Sequence, residues 1–304
     1  MDGLPQALGS EITARCQQTL KASISCVGVG LHSGRRVTLT FRPAAADHGI
    51  VFHRSDIGAD IPARFDRVVD TRLATVLEHG GARIGTVEHV LAALAGCGID
   101  NVVVDVDGPE PPILDGSAAQ FVFLLDCAGT VAQEALRPTI EVRQPIRVSD
   151  GDAFAELRPG SAGLDMALSI DFAAPAIGRQ ALSLRLTPDS FRRELAGART
   201  FTLAEEVDEL RAAGLAQGGS LDNAVVVDQA RVLNPAGLRV PDEFVRHKLM
   251  DAVGDLALAG APLCGRFIAH RSGHTLNNRL LHALFAQSAA WRESVPAQLP
   301  VAAE

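Results

Sequence analysis

Residues 242–259 read DEFVRHKLMDAVGDLALA. Pro241-Asp242 opens this run and Gly260 closes it, the punctuation of a single helix. Val245, Leu249, Ala252, Val253 and Leu256 recur at i, i+4, i+7, i+8 and i+11, the spacing of a core face. His247, Asp251 and Asp255 recur at i, i+4 and i+8 as a second, polar stripe. Side chains four apart stack on one face, so His247 and Asp251 can reach one metal ion. On spacing alone, however, a His–Asp pair on a solvated helix face is the commoner arrangement.

A second motif changes the balance. Thr86-Val87-Glu88-His89 precedes an apolar run carrying Val90, Leu91 and Leu94. Thr86 is a good N-cap for a helix there, and Gly96 and Gly98 stop it. Neighbours on a helix point about 100° apart, so His89 can bind a metal while Glu88 leans toward a water on it. His89, His247 and Asp251 are three ligands, and a catalytic zinc takes three and keeps a fourth position open. Glu88 is then the base. The chemistry is that of a zinc hydrolase whose ligands come from distant segments. A peptidase or another amidase has the same metal set. A scaffold with structural zinc fits less well, because such sites take four ligands, often cysteines. The loop Ser272-Gly273-His274-Thr275-Leu276-Asn277-Asn278 adds a third histidine in a Gly- and Asn-flanked setting.

The 304-residue chain is long enough for one large or two ordinary domains. Its 47% hydrophobic and 21% charged content describes a globular protein with a sizeable core. A formal charge of −8 argues against nucleic acid as a partner. Cys16, Cys26, Cys97, Cys127 and Cys264 form no C-x-x-C pair, which suits free thiols in a reducing cytoplasm. The first residues lack an apolar signal region. The most apolar stretch, 256–265, is too short for a transmembrane segment. A cytoplasmic monomer is expected.

Along the chain, residues 1–17 read as a loose N-terminal extension. Val37–Phe41 alternates as a strand, Asn101–Val106 is a Val-rich strand, and Ser117 with Gln120 suggests a capping box for a helix over 118–127. The pattern lapses over 128–138, which divides domain I (18–134) from domain II (135–292). Strands follow at 139–143, 146–148, 153–157 and 164–172, then a helix near 190–196. A segment at 202–228 has helical 205–213 and strand 224–227. After the 242–259 helix come strand 267–270, a terminal helix at 280–291 and a tail at 293–304. Both halves mix strands with helices, so the fold class is α+β.

The runs Val27-Gly28-Val29-Gly30-Leu31-His32-Ser33-Gly34, Thr86-Val87-Glu88-His89, Gly98-Ile99-Asp100-Asn101 and Pro112-Ile113-Leu114-Asp115-Gly116-Ser117 are distinctive in order and spacing. So are Ala198-Arg199-Thr200-Phe201, Phe244-Val245-Arg246-His247-Lys248 and Ser272-Gly273-His274. Together they resemble the UDP-3-O-acyl-N-acetylglucosamine deacetylase (LpxC) family over about residues 18–292. The resemblance implies two β-α-α-β domains, helices packed between two outer sheets, and a zinc site at the domain interface. It implies hydrolysis of the N-acetyl group of UDP-3-O-acyl-N-acetylglucosamine, the committed step of lipid A synthesis.

Position by position, the resemblance makes His89, His247 and Asp251 the ligands of Zn2+, with Fe2+ an alternative suited to the same donors. Glu88 matches the general base, His274 the general acid and Asp255 the residue that orients and charges it. Thr200 matches an oxyanion-stabilising hydroxyl. Lys248, Phe201 and Arg271 match contacts to the sugar, uridine and diphosphate, and His32 lies near the site in the family. The insert at 202–228 matches an acyl passage, with Leu203, Val207, Leu210, Leu215 and Leu221 as candidate walls. The chain departs from familiar members at Leu221, where an aromatic is frequent, at Asn223, and at Ala74, where many have a cysteine. These departures leave the acyl length open.

Overall fold

In the strand Arg36–Pro43, Val37, Leu39 and Phe41 are fully buried and alternate with more exposed Thr38 and Thr40, as a sheet with one covered face requires. The computed structural model describes residues 16–161 and 163–295. The expected leaderless start, most of the extension and most of the tail lie outside the described residues. Arg36–Pro43 is inside a five-stranded sheet ordered Ile24–Val29, Arg36–Pro43, Val102–Val106, Ile50–Arg54, Ala59–Pro62. All pairings are antiparallel except Ile50–Arg54 with Val102–Val106. That parallel pair needs a long crossover, and the crossover carries helix α1, Glu88–Gly96. Helix α2, Ala119–Ala128, packs on Ile24–Val29.

The later part of the chain builds a seven-stranded sheet around Leu263–His270. That strand runs parallel to Thr139–Val142 and Leu164–Asp171 and antiparallel to Ala153–Arg158. Residues 201–228 contribute strand Phe201–Leu203, helix α3, Ala204–Ala212, and strand Val225–Asp228, which pairs parallel with Phe201–Leu203. Helix α4, Glu243–Ala257, and helix α5, His274–Phe285, pack on the seven-stranded sheet and on each other.

Several elements differ from the sequence expectation. Thr86 does not cap α1: its φ is +52°, and its hydroxyl donates to Glu110 at 2.9 Å. Ser117 makes no capping box, since its hydroxyl donates to Asp115. His274 opens α5 instead of lying in a loop, and that helix ends at Phe285, so Trp291 lies in the final strand Trp291–Ser294. Cys16–Leu20 is a strand that pairs with Thr130–Leu136, so the end of the extension and the stretch read as a lapse satisfy each other's backbone. The helix near 190–196 is a short turn, Pro188–Ser190, continued as a five-residue π turn that buries Phe191 and Leu195. Strand Arg179–Leu186 went unread, and it forms the edge beside Leu164–Asp171.

Helices α1 and α4 pack directly on each other. Both are buried nearly all round: Val90, Leu91, Ala92, Ala93 and Leu94 of α1 have no exposure. Their closest approach is at Gly254, where an added Cβ would stand 2.0 Å from the Glu88 carbonyl oxygen. Only glycine permits this crossing. Gly254→Val is expected to lower stability by at least about 1–3 kcal/mol, the cost of forcing atoms into a packed core. Urea denaturation would check this, and a variant as stable as the parent would mean that the helices part freely.

Candidate active site

The crossing at Gly254 brings the two sequence motifs together. Asp251 Oδ1 lies 3.3 Å from His247 Nε2 and 3.6 Å from His89 Nε2. The two imidazoles stand edge to face, 5.2 Å between centroids. One donor atom from each of the three side chains lies within 4.8 Å of the others. His247, Asp251 and Asp255 are at most 3% exposed, so the polar stripe of α4 is not a solvated face. The buried oxygen Asp251 Oδ1 has no hydrogen-bond partner, an arrangement that costs free energy unless something binds it. Ligand atoms of a tetrahedral ion with bonds of about 2.0–2.1 Å stand about 3.3–3.4 Å apart, close to the 3.3 and 3.6 Å that separate Asp251 Oδ1 from the two imidazole nitrogens. The residues fit a divalent cation.

Their electrostatics fit too. Burial and the nearby His247 push His89 down to about 3, so its ring is neutral and has a lone pair to give. Burial likewise lowers His247, against the pull of Asp251. Its Nδ1 faces the Ala198 carbonyl oxygen at 3.2 Å. With the proton on Nδ1, donated to that carbonyl, Nε2 keeps a free lone pair on the side of Asp251. Burial works against ionising Asp251, but His247 and Lys248 outweigh it and hold the carboxyl below its ordinary value. The Lys248 ammonium donates to Asp251 Oδ2 at 2.9 Å.

Glu88 and His274 flank this triad. Glu88 is 3% exposed and accepts a hydrogen bond from the Thr75 backbone N–H at 3.0 Å. Burial pushes its carboxyl up to about 7, opposed by His274 and reinforced by Asp251 and Asp255. His274 Nε2 is 3.8 Å from Glu88 Oε1. On its other side, Nδ1 is 2.8 Å from Asp255 Oδ2. Burial alone would lower the His274 pKa, but Asp255 and Glu88 raise it to about 9. Thr75 and Asn277 donate to Asp255 at 2.6 and 2.8 Å, fixing the carboxylate that faces the ring.

Thr200 is pinned by its backbone. Its N–H donates to the Gly116 carbonyl, and its carbonyl accepts from the Val225 N–H, each at 2.8 Å. Beside it the Arg199 guanidinium and backbone N–H both donate to buried Glu243 at the start of α4. This pair explains why the Ala198-Arg199-Thr200-Phe201 run sits against the helix bearing His247.

A cavity of about 750 Å³ opens on these groups. Its walls include Glu88, His89, Thr200, His247, Lys248, Asp251, Arg271 and His274, continuing along Leu203, Val207, Leu210 and Leu221. Phe201 both lines it and packs on Phe172, Phe244 and His247. Asp255 lies behind His274 and off the wall, and Leu215 is not part of it. Asn223 staples its own loop, accepting from the Ser220 N–H and donating to the Gly218 carbonyl. Thr75, Asn277 and Glu243 went unnoticed in the sequence as site residues. Each acts through a partner, and Thr75 meets Asp255 across 180 positions, so no local spacing marks it.

Residues 17–286 match the family model for UDP-3-O-acyl N-acetylglycosamine deacetylase. A UDP-3-O-acyl-N-acetylglucosamine deacetylase of Anaeromyxobacter sp. (strain Fw109-5) is 50% identical over 293 residues, covering 94% of this chain and 96% of that protein. The enzyme of that name from Acidithiobacillus ferrooxidans (strain ATCC 53993 / BNL-5-31) is 52% identical over 279 residues, 90% of this chain and 91% of that one.

An NMR titration of the metal-free protein should find the His274 imidazole well above the ordinary histidine value. Asp255→Asn is expected to bring its midpoint back toward about 6.5, and an unmoved midpoint would contradict the pairing. Because the folded pKa is raised, this pair's contribution to stability is complete below about 6.5 and is lost as pH rises through about 9.

Proposed function

The chain belongs to the UDP-3-O-acyl N-acetylglycosamine deacetylase family, and from that premise we propose how its site hydrolyses the acetamide. The activity is that of the lipid A biosynthesis deacetylase: the N-acetyl group of UDP-3-O-acyl-N-acetylglucosamine is cleaved to the free amine and acetate. His89, His247 and Asp251 would hold a catalytic zinc ion, or iron(II) in the cell, leaving a position open for substrate and water. The observation that carries this reading is the unpartnered Asp251 oxygen, 3.3 and 3.6 Å from two neutral imidazoles. A bound cation of this kind polarises the amide carbonyl and acidifies water.

Glu88 then takes the proton of the attacking water. Its carboxyl, lifted to about 7 by burial, is a stronger base than an ordinary carboxylate and is still largely ionised above neutrality. The Thr200 hydroxyl, on the cavity wall, stabilises the oxyanion that forms on the carbonyl oxygen. An amine leaves poorly unless protonated. His274, kept cationic by Asp255, donates its Nε2 proton to the departing nitrogen as the C–N bond breaks. Asp255 accepts from Nδ1 and holds the ring in that orientation.

Lys248, Arg271 and Phe201 are read as contacts to the sugar, diphosphate and uridine, the cations suiting the diphosphate charge. Leu203, Val207, Leu210 and Leu221 are read as walls for the acyl chain. The architecture is read as two β-α-α-β domains, 18–134 and 135–292, with helices between two sheets and the site at their interface. Its support is that Glu88 and His89 come from α1, whereas His247, Lys248, Asp251 and Asp255 come from α4 and His274 from α5. Among the described residues no helix is long and apolar enough to cross a membrane. A cytoplasmic location is in line with the five free cysteines, and the chain is read as a monomer.

His89→Ala and His247→Ala are expected to lose the metal by elemental analysis. Glu88→Ala should keep it while turnover falls roughly 10²–10⁴-fold. Wild-type turnover in Glu88→Ala would remove Glu88 as the base. The pH–rate profile should be a bell. Activity rises as Glu88 deprotonates, at or below about 7 because a bound cation lowers a neighbouring carboxyl further. It falls as His274 deprotonates, at or below about 9. If His274→Gln left both limbs in place, the acid role would be untenable.

A further inference from the structure

Glu110 is 3% exposed, and its hydrogen-bond donors among the described residues are two backbone N–H groups and one hydroxyl. Its carboxylate is satisfied by donors from two other segments. Oε1 accepts from the Ser33 N–H at 2.6 Å and the His32 N–H at 3.1 Å, and Oε2 accepts from the Thr86 hydroxyl at 2.9 Å. A buried carboxylate demands such donors, and the chain is shaped to supply them. The loop at Gly30 closes so tightly that an added Cβ would lie 2.5 Å from Oε1.

Each donor leads to the site. Thr86 has φ +52°, a left-handed conformation that a β-branched residue adopts only when its surroundings hold it there. Two residues later the chain reaches Glu88, then His89. The bond from Thr86 to Glu110 therefore holds the backbone turn that launches the base and a metal ligand. On the other side, the Leu31 and His32 carbonyls accept from the Gly218 and Gln217 N–H groups of the insert, at 3.0 and 3.2 Å. Leu31 and His32 also line the cavity. One carboxylate thus joins the start of α1 to the loop that meets the insert.

We propose that Glu110 is a positioning residue for the deacetylation: through Thr86 it fixes where Glu88 and His89 stand, and through residues 31–33 it fixes the cavity wall against the insert. This rests on the roles assigned above to Glu88 and His89. It differs from a merely structural role in that the loss should fall on kcat in protein that is folded and fully metal-loaded. A misplacement of catalytic groups by a fraction of an ångström to one ångström costs up to about 100-fold in rate.

The test compares Thr86→Val, which deletes only the hydroxyl donor, with Thr86→Ser, which keeps it, and with Glu110→Gln and the Glu110→Gln/Thr86→Val pair. Each protein is assayed for kcat, KM, melting temperature and bound zinc. Thr86→Val is expected to lose roughly 10- to 100-fold in kcat with zinc retained, Thr86→Ser to recover most of it, and the double variant to lose no more than the worse single. Glu110→Gln should also raise KM for acylated substrate more than for a substrate lacking the acyl chain. Should Glu110→Gln fail to fold, Thr86→Val against Thr86→Ser still decides. Unchanged kcat in folded, zinc-loaded Thr86→Val, or losses that simply add, would overturn the proposal. Glu88→Ala is run alongside: if it too turned over at the parent rate, the assignment of Glu88 would fall first.

Discussion

The contact between Gly254 and the Glu88 backbone governs this molecule. Helices are ordinarily kept 8–10 Å apart by their side chains. Here one position has no side chain, and the carbonyl of Glu88 occupies the space a Cβ would take. That approach puts the first turn of α1 against the C-terminal part of α4, so residues from positions 88–89 and 247–255 share one buried volume. The surrounding apolar residues of both helices are closed to water, and the polar groups expose only a few per cent of their surface, on the cavity side.

What the burial makes costly, the grouping offsets. Glu88, Asp251 and Asp255 are three carboxyls in one desolvated cluster, balanced by Lys248 and His274. Burial alone would neutralise all of them. Geometry instead separates their behaviour. Asp251 faces Lys248 and is held ionised, whereas Glu88 lacks so close a cation and rises to about 7. Burial keeps His89 and His247 neutral, with no hydrogen bond formed to the Asp251 oxygen beside them, whereas His274 is hydrogen-bonded to Asp255 and is held protonated. Three histidines in one site thus divide into two neutral rings and one protonated ring by what each faces.

The residues proposed for the chemistry were legible because they sit in short, ordered motifs and on one helix stripe. His247, Asp251 and Asp255 follow from a four-residue period, and Glu88-His89 from adjacency. The fold class and the central strands were legible where apolar residues alternate, as at Val37, Leu39 and Phe41. What stayed hidden depends on distant partners. Thr86 has the residue type of an N-cap, but a glutamate 24 positions away captures its hydroxyl and turns its backbone left-handed. His274 reads as a loop residue between glycine and asparagines, although the helix begins there. Strand Cys16–Leu20 has polar glutamines that are buried, and Gln17 is held by Asp47, Asn101 and the Leu136 carbonyl, all distant in sequence. A local pattern cannot contain information held by the other side of a contact.

The central claim is that two histidines and one aspartate from α1 and α4 hold a single divalent ion with a position left for water. X-ray absorption spectroscopy of the zinc-loaded protein tests it most directly. The account predicts a first shell of nitrogen and oxygen only, at about 2.0–2.1 Å, with two imidazole scattering patterns of which one disappears in His89→Ala. A sulfur shell at about 2.3 Å, or an unchanged shell in that variant, would contradict it.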